Sequence, residues 1–299
     1  MMEKSLLRKA YAKINLSLDV LRRREDGYHE VKMVMQTIDL YDELSFKVIP
    51  SGIELNILDV PKDADLGPIE KNLIYRAAKM VLDEFNINKG VSVTLNKHIP
   101  VAAGMAGGST DAAAVFHALN ELFELNMTTS DMCKMGVKLG ADIPYCIMGG
   151  TYLSEGIGEV LTKLNTPPQS VLVIAKPDID VSTKFVYENL HANELKYHPD
   201  VDGMIEAINE QNLAKMSSLL GNVLETVTTR EYPVIESIKD VMKENGALNA
   251  LMSGSGPTVF GIFGSDNDIK NVEKASLAKQ AIIEKGLAKE VFVTKFVNV

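Results

Sequence analysis

The chain has 299 residues, 46% of them apolar and 24% charged, which excludes wholesale disorder and, at about 150 residues per domain, predicts two globular domains. Its 31 Lys and Arg face 40 Asp and Glu, a net charge of −9. A field of that sign argues against nucleic acid or an anionic membrane as the partner, while a local positive pocket for a small anion stays open. Cys133 and Cys146 cannot build a disulfide framework and fit a reducing cytoplasm. The opening MMEKSLLRKAY has no apolar stretch of the secretory kind, so no signal peptide is expected. The longest uncharged run, 245–265, is too rich in Gly, Ser and Asn for a membrane span.

The first third reads as strands. From Ala12 to Val20, Ile14, Leu16, Leu18 and Val20 share one face and Lys13, Asn15, Ser17 and Asp19 the other. The plain expectation is a strand buried on its apolar face only; Lys13 and Asn15 are either solvated or turned into a pocket. RRREDG (Arg22 to Gly27) is a turn. Val31–Ile38, Glu43–Val48, Ile53–Leu58 and Val91–Leu95 are further strands. Leu73, Ala77, Val81 and Phe85 recur every four positions, predicting a helix over Asn72–Phe85 capped by Asn72. A second helix is expected from Ser109 or Thr110, and a third over Ser130–Leu139 with Ser130 as its cap. SEGIGE (Ser154–Glu159) reads as a loop, with a domain boundary just after it. Beyond lie a strand at Ser170–Ala175 and helices at Val201–Glu210, Ala214–Leu220 and Val234–Glu244. A strand at Thr258–Phe263, a helix at Ile269–Lys285 and a strand at Glu290–Phe296 close the chain. Strands and helices without a strict alternation indicate an α+β fold.

Three segments bear chemistry. PVAAGMAGGSTDAAA (Pro100–Ala114) places Gly104, Gly107 and Gly108 among alanines, between a strand and a helix. Small residues let backbone approach a ligand, and helix-start N–H groups favour an anion. Ser109 and Thr110 add hydroxyls for phosphate or Mg²⁺. The competing reading is a tightly packed helix start. It matches neither a Walker A loop nor a Rossmann turn. LMSGSGPTVFGIF (Leu251–Phe263) is a tight corner by default, but two glycine-rich turns far apart favour a shared phosphate-bearing ligand. In GADIPYCIMGG, Asp142 stands in apolar sequence as either a cap or a functional acid–base group. The five histidines fall at no metal-ligand spacing, and no Gly-x-Ser-x-Gly elbow occurs.

Together these segments resemble the GHMP kinase superfamily. AYAKINLSL (Ala10–Leu18), PVAAGMAGGST and MSGSGPTVF (Met252–Phe260) match its three motifs in order. DGYHEV (Asp26–Val31), KNLIYRA (Lys71–Ala77), GADIPYCIMGG and IGE (Ile157–Glu159) resemble the branch that acts on a cytidine diphosphate conjugate. Ala103 and Ala106 stand where glycine is frequent, and Thr110 where serine is usual. The resemblance implies a two-domain GHMP fold: a 1–160 ATP-binding domain like domain 2 of ribosomal protein S5, and a ferredoxin-like 161–299 domain. It implies ATP-dependent phosphorylation of the 2-hydroxyl of the methylerythritol moiety, a step of non-mevalonate isoprenoid precursor biosynthesis, by a cytoplasmic enzyme using ATP and Mg²⁺. The alternative is a homoserine- or mevalonate-type kinase. Carried over, Lys13 and Asp142 are the catalytic pair. The nucleotide is held by Asn72, Lys97, Pro100, Val101, Ala102, Ala103, Gly104, Met105, Ala106, Gly107, Gly108, Ser109 and Thr110. The substrate meets Asn15, Tyr28, His29, Thr183, Tyr187, Gly254 and Ser255, and Ser109 is the candidate metal ligand.

Overall fold

The computed structural model describes residues 5–58 and 68–299; Met1–Lys4 of the opening segment lie outside these. The chain forms two compact units that interleave in sequence. The first takes the described residues up to Ala12, then Leu40–Val101 and Ala106–Gly149. The second takes Lys13–Asp39, Ala102–Met105 and Gly150–Val299. Compactness thus follows several crossings rather than a single cut near residue 160. The two long strands β1 (Ser5–Arg23) and β2 (His29–Ile49) each run from one unit into the other.

β2 replaces the two strands expected over 31–48. The polar run that suggested a break does not interrupt it, because Asp39 stays exposed and Asp42 is buried against hydrogen-bond donors. β1 departs from expectation in burial. Lys13, Asn15, Ser17 and Asp19 are 0–5% exposed, as deeply placed as the apolar face. The partners are local to the second unit: Asp19 accepts from His198 Nδ1 at 2.8 Å, and Ser17 pairs in register with Gly221.

In the first unit β3 (Ile53–Leu58) runs parallel to β4 (Gly90–Asn96), and β4 pairs antiparallel with Glu43–Ile49 of β2. Helices α1 (Leu73–Glu84), α2 (Gly107–Leu122), α3 (Thr129–Gly136) and α4 (Ile143–Met148) supply the rest. Leu44, Phe46, Val91, Val93 and Leu95 alternate inward to meet Ile74, Ala77 and Val81 of α1 and Ala112, Val115, Phe116 and Leu119 of α2. Burying a side chain such as Phe46 or Phe116 contributes about 1.5–3 kcal/mol. Asn72 caps α1 as expected, its Oδ1 accepting from Ile74 N at 2.9 Å. α3 is capped by Thr128, not Ser130. Asp131 returns a bond to the Thr128 N–H, and this reciprocal box outweighs a lone serine.

His117 on α2 donates from Nε2 to the Ile147 carbonyl of α4 at 3.1 Å. Burial, with the Arg8 charge adding to it, holds the ring below the ordinary histidine pKa of 6.5, although the Ile147 bond opposes this. A base depressed in the fold contributes stability that is present above the unfolded pKa and lost as pH falls through the folded one. Melting temperature should therefore drop as pH falls below about 6.5, and His117→Gln should flatten that fall. Parallel melting curves for the two proteins would remove His117 as the cause.

The second unit adds β5 (Thr151–Gly156), antiparallel to Val31–Gln36, and β6 (Val160–Lys163), antiparallel to β5. Next come β7 (Val171–Lys176), α5 (Thr183–Asn189), α6 (Val201–Asn209), α7 (Leu213–Ser218) and β8 (Gly221–Asn222), the last parallel to β1. α8 (Glu225–Glu231), α9 (Val234–Glu244), β9 (Asn249–Met252), β10 (Val259–Ile262), α10 (Ile269–Glu284) and β11 (Glu290–Lys295) follow. β11-β7-β10-β9 form an antiparallel sheet. In chain order that is 4-1-3-2, with α9 packed on β9 and β10 and α10 on β7 and β11. This is the expected ferredoxin-like winding, with extra helices inserted after its first strand.

The expected Ser154–Glu159 loop is the end of β5 and a tight turn. Ser154 Oγ donates to Gly158 O at 2.7 Å, and Glu159 Oε2 accepts from Ile157 N at 2.7 Å. α4, α5, α8 and β9 are too short to show a hydrophobic period, and sequence patterning does not reveal them. Among the described residues, no helix is long and apolar enough to cross a membrane.

Candidate active site

All three glycine- and lysine-bearing motifs contribute to one hydrogen-bonded knot in the second unit. The residue-2 alternation of β1 puts Lys13 and Asn15 on the same face. Lys13 Nζ donates to Asn15 Oδ1 at 2.8 Å and to Gly104 O at 3.1 Å. Ser253 Oγ donates to the same Gly104 carbonyl at 3.1 Å, and the Lys13 N–H reaches Met105 O at 3.2 Å. An ammonium carries three donors, and these contacts use two. Gly104 has φ +70°, and a Cβ there would lie 2.3 Å from Ser253 O, so backbone must pass backbone without a side chain.

The Ser253 corner is itself braced. Asn222 Nδ2 donates to Met252 O and Gly254 O, both at 2.8 Å. Thr183 Oγ1 and Ser255 Oγ are 2.8 Å apart, which joins two candidate substrate residues. Glu225 of α8 accepts the Met252 N–H at 2.8 Å and the Lys239 ammonium at 2.9 Å. Burial pushes the Glu225 carboxyl up, against the pull of Lys239. Asn222, Glu225 and Ser253 were not singled out by sequence; a carboxylate and two amide or hydroxyl groups beside glycines carry no distinguishing signal.

His29 and Tyr187 also meet, with ring centroids 5.1 Å apart. They line a cavity of about 190 Å³ together with Arg23 and His191. Tyr28 stands beside them in sequence and is 59% exposed. Burial first, and the Arg23 charge second, hold His29 below the ordinary histidine pKa, which favours a neutral ring able to donate and accept. A larger cavity of about 530 Å³ between α1 and α3 contains none of the candidate residues. Size does not decide here; the convergence of motifs does.

In the first unit α2 starts at Gly107, two residues before the expected serine. Ala106 occupies the N-cap position in the left-handed region (φ +58°) and offers no side-chain cap. The first-turn N–H groups of Gly107, Gly108 and Ser109 therefore meet no capping oxygen from Ala106, an arrangement suited to an anion. Ala102 is also left-handed (φ +51°). Ala103 and Met105 are 4% and 1% exposed and anchor the loop. Pro100 is buried and Val101 half-buried. Thr110 is corrected as a phosphate or metal hydroxyl: it is 4% exposed, and its Oγ1 donates to Tyr11 O at 2.8 Å. Ser109, half-buried, is the remaining hydroxyl.

Asp142 occupies the N-cap position of α4 but makes no capping bond. The capping interpretation therefore fails, and the carboxylate is not spent on the helix. Lys97 is not a free cation. Its Nζ donates to Asp42 Oδ2 at 2.5 Å and to Asp111 Oδ2 at 2.9 Å. The two carboxylates outweigh burial and hold the Lys97 pKa above its usual value. Burial and the Asp42 charge push Asp111 up to about 8, against the attraction of Lys97. Asp42 and Asp111 were missed in the sequence, yet Asp42 stands in phase with Leu40, Leu44 and Phe46, a carboxylate on a strand's inward face.

The family description for the GHMP kinase N-terminal domain matches residues 72–150, and that for the C-terminal domain matches 204–281. Together the two spans cover more than half of the chain. The chain belongs to the GHMP kinase family. As a GHMP kinase it is an ATP-dependent small-molecule kinase. A relative named 4-diphosphocytidyl-2-C-methyl-D-erythritol kinase from Lachnoclostridium phytofermentans is 52% identical over 96% of this chain and 96% of its own. One of the same name from Caldicellulosiruptor bescii is 48% identical over 92% and 96%. A crystal structure of 4-(cytidine 5'-diphospho)-2C-methyl-D-erythritol kinase superposes with a TM-score of 0.81 at 29% identity, covering 98% of this chain and all of that one. A homoserine kinase structure from Cytophaga hutchinsonii, at 21% identity and a TM-score of 0.74, shares the fold.

Gly108 is exposed at the start of α2, and a Cβ there would meet only the Leu73 side chain at 3.5 Å, whereas Gly104 is packed against the Ser253 carbonyl. For Mg²⁺ the donor set is sparse: no group of three or more His, Cys, Asp or Glu among the described residues could cage a metal. Ser109, half-buried at the start of α2, is the one hydroxyl beside the loop that is not committed to a backbone carbonyl in the way Thr110 is.

Proposed function

We propose that this chain transfers the γ-phosphoryl group of ATP to the 2-hydroxyl of 4-(cytidine 5'-diphospho)-2-C-methyl-D-erythritol. The observation that carries the reading is the knot of Lys13, Gly104 and Ser253, which ties the three family motifs together around a buried ammonium. The cytidine side is supported by the His29–Tyr187 ring pair and by the names of relatives near 50% identity. The family spans 72–150 and 204–281 lie on either side of residue 160 and support an N-terminal and a C-terminal module, although Lys13–Asp39 belongs to the same compact unit as the C-terminal part. Neither Cys133 nor Cys146 forms a disulfide, in keeping with a reducing cytoplasm.

In this mechanism, backbone N–H groups of 102–109 receive the phosphates at the start of α2. Asn72 and Lys97 serve the nucleotide side through the helix and loop they hold. Lys13 places positive charge beside the transferring group, whose oxygens are charged throughout. Ser109 would hold Mg²⁺, which would supply positive charge to offset that of the phosphates. Asn15, Thr183, Gly254 and Ser255 orient the methylerythritol end. The hydroxyl attacks phosphorus, its proton passes to Asp142, and ADP leaves.

Release of ADP on a panel of alcohols tests the assignment. The cytidine conjugate should exceed mevalonate, homoserine and the methylerythritol portion alone by about 10³-fold or more in kcat/KM, because a site built around a base leaves polar groups unpaired without it. Comparable turnover of homoserine or mevalonate would favour those kinases instead. Tyr28→Ala should raise KM for the cytidine substrate by about tenfold or more, the value of a lost base stack, and leave KM for ATP unchanged. Equal rises in both would point to a folding defect.

A further inference from the structure

We infer that Asp42 is a positioning residue, holding both stems of the phosphate loop in place through Lys97. This rests on the reading of 100–110 as that loop. Asp42 lies on β2 and is fully buried. Its Oδ1 accepts the N–H groups of His98 at 2.6 Å and Ile99 at 2.7 Å, on the segment that enters the loop. Its Oδ2 accepts Lys97 Nζ at 2.5 Å, and the same ammonium bonds Asp111 Oδ2 at 2.9 Å, at the start of the second turn of the helix that leaves the loop. One carboxylate thus fixes the entry directly and the exit through a single ammonium. A Cβ on Gly107 would come within 3.0 Å of Lys97 Nζ, so the clamp lies against the helix start.

Stability alone does not account for this arrangement. Two carboxylates and one ammonium, all below 10% side-chain exposure, are costly to desolvate, and apolar residues of similar volume serve a core as well. What the three charges supply is fixed geometry at two points, Ile99 and Asp111, on either side of residues 100–110. Backbone donors that must meet a polyphosphate need such fixing, since small misplacements are expensive in rate. Lys97 Nζ bonds both carboxylates and lies 3.0 Å from where a Gly107 Cβ would stand, so its charge offsets theirs at the helix start.

The test is Asp42→Asn in the full chain, which keeps the shape and removes the charge. ATP affinity measured by calorimetry should weaken about tenfold or more, with KM for the alcohol changed by less than about twofold. In the nucleotide-free protein, amide exchange over residues 100–106 should accelerate, while the α1 amides stay protected. A folded variant with ATP affinity within about twofold of the parent and unchanged exchange would overturn the inference, even with a lower melting temperature. If Asp42→Asn does not fold, Asp111→Asn is used. It keeps the contact shape but loses the charge on the exit stem, and should weaken ATP about threefold or more; no change overturns the inference. Gly107→Val separates the two readings. If it leaves ATP affinity intact, the loop assignment itself is wrong; if it abolishes binding while Asp42→Asn does nothing, only the clamp is.

Discussion

Asp142→Asn should bind ATP and the cytidine conjugate within about threefold of the parent, while its kcat should fall by about 10²–10⁴-fold, the usual loss for a positioned general base. An alcohol is a poor nucleophile at neutral pH, and the amide accepts a hydrogen bond but not the proton. The structural ground is the idle carboxylate. Asp142 sits where a helix cap belongs and caps nothing, so the substitution should cost the fold little. α4 is secured instead by Pro144 in its first turn and by buried Ile143, Tyr145 and Ile147. Titration calorimetry with each ligand and steady-state rates on the same preparation decide the matter. A kcat within about threefold of the parent would remove Asp142 as base and leave catalysis to positioning and charge.

Gly104→Ala should lower kcat/KM by about 10²-fold or more. The added methyl would sit 2.3 Å from the Ser253 carbonyl oxygen and near 3.1 Å from Gly256 O, both backbone atoms that cannot swing aside. The loop must then lift away from the carbonyl contacts that Lys13 and Ser253 make to it. Gly286→Ala is the matched control. It too has positive φ (+66°), but no atom lies within 4 Å of its added Cβ. It should cost about 1 kcal/mol of stability and leave turnover alone. If the two alanine variants are equally active, the close approach at Gly104 has no catalytic meaning.

Sequence patterning was informative where side chains repeat. The alternation in β1, the four-residue period of α1 and the Asn72 cap are local, and they appear in the structure where expected. The motifs also gave residues that the fold hydrogen-bonds together, Lys13 and Ser253 both donating to the Gly104 carbonyl. What patterning could not give is burial by distant partners. Lys13, Asn15 and Asp19 look like the wet face of a strand until Gly104 and His198 close over them. Asp42 and Lys97, 55 residues apart, show their bond only in the fold. Thr110 looked like a ligand hydroxyl and is spent on Tyr11 O. A charge in phase with a strand's apolar face, as Asp42 is with Leu40, Leu44 and Phe46, is the one sign in the sequence that such partners exist.

The interleaving of the two units sets an order of events at the ribosome. The first unit has all its pieces once Gly149 has emerged, whereas the second needs Val299. Its opening segment, Lys13–Asp39, is made early and must wait for 260 more residues, the difference between 39 and 299. At about 5–20 residues per second that delay is roughly 10–50 s. Throughout it, two β-rich stretches carrying Ile14, Leu16, Val34 and Met35 lack most of the chain they finally bury against. The nascent protein therefore presents its most aggregation-prone strands longest, and its yield on overexpression should respond more to holdase chaperones and slower synthesis than to changes in the finished fold.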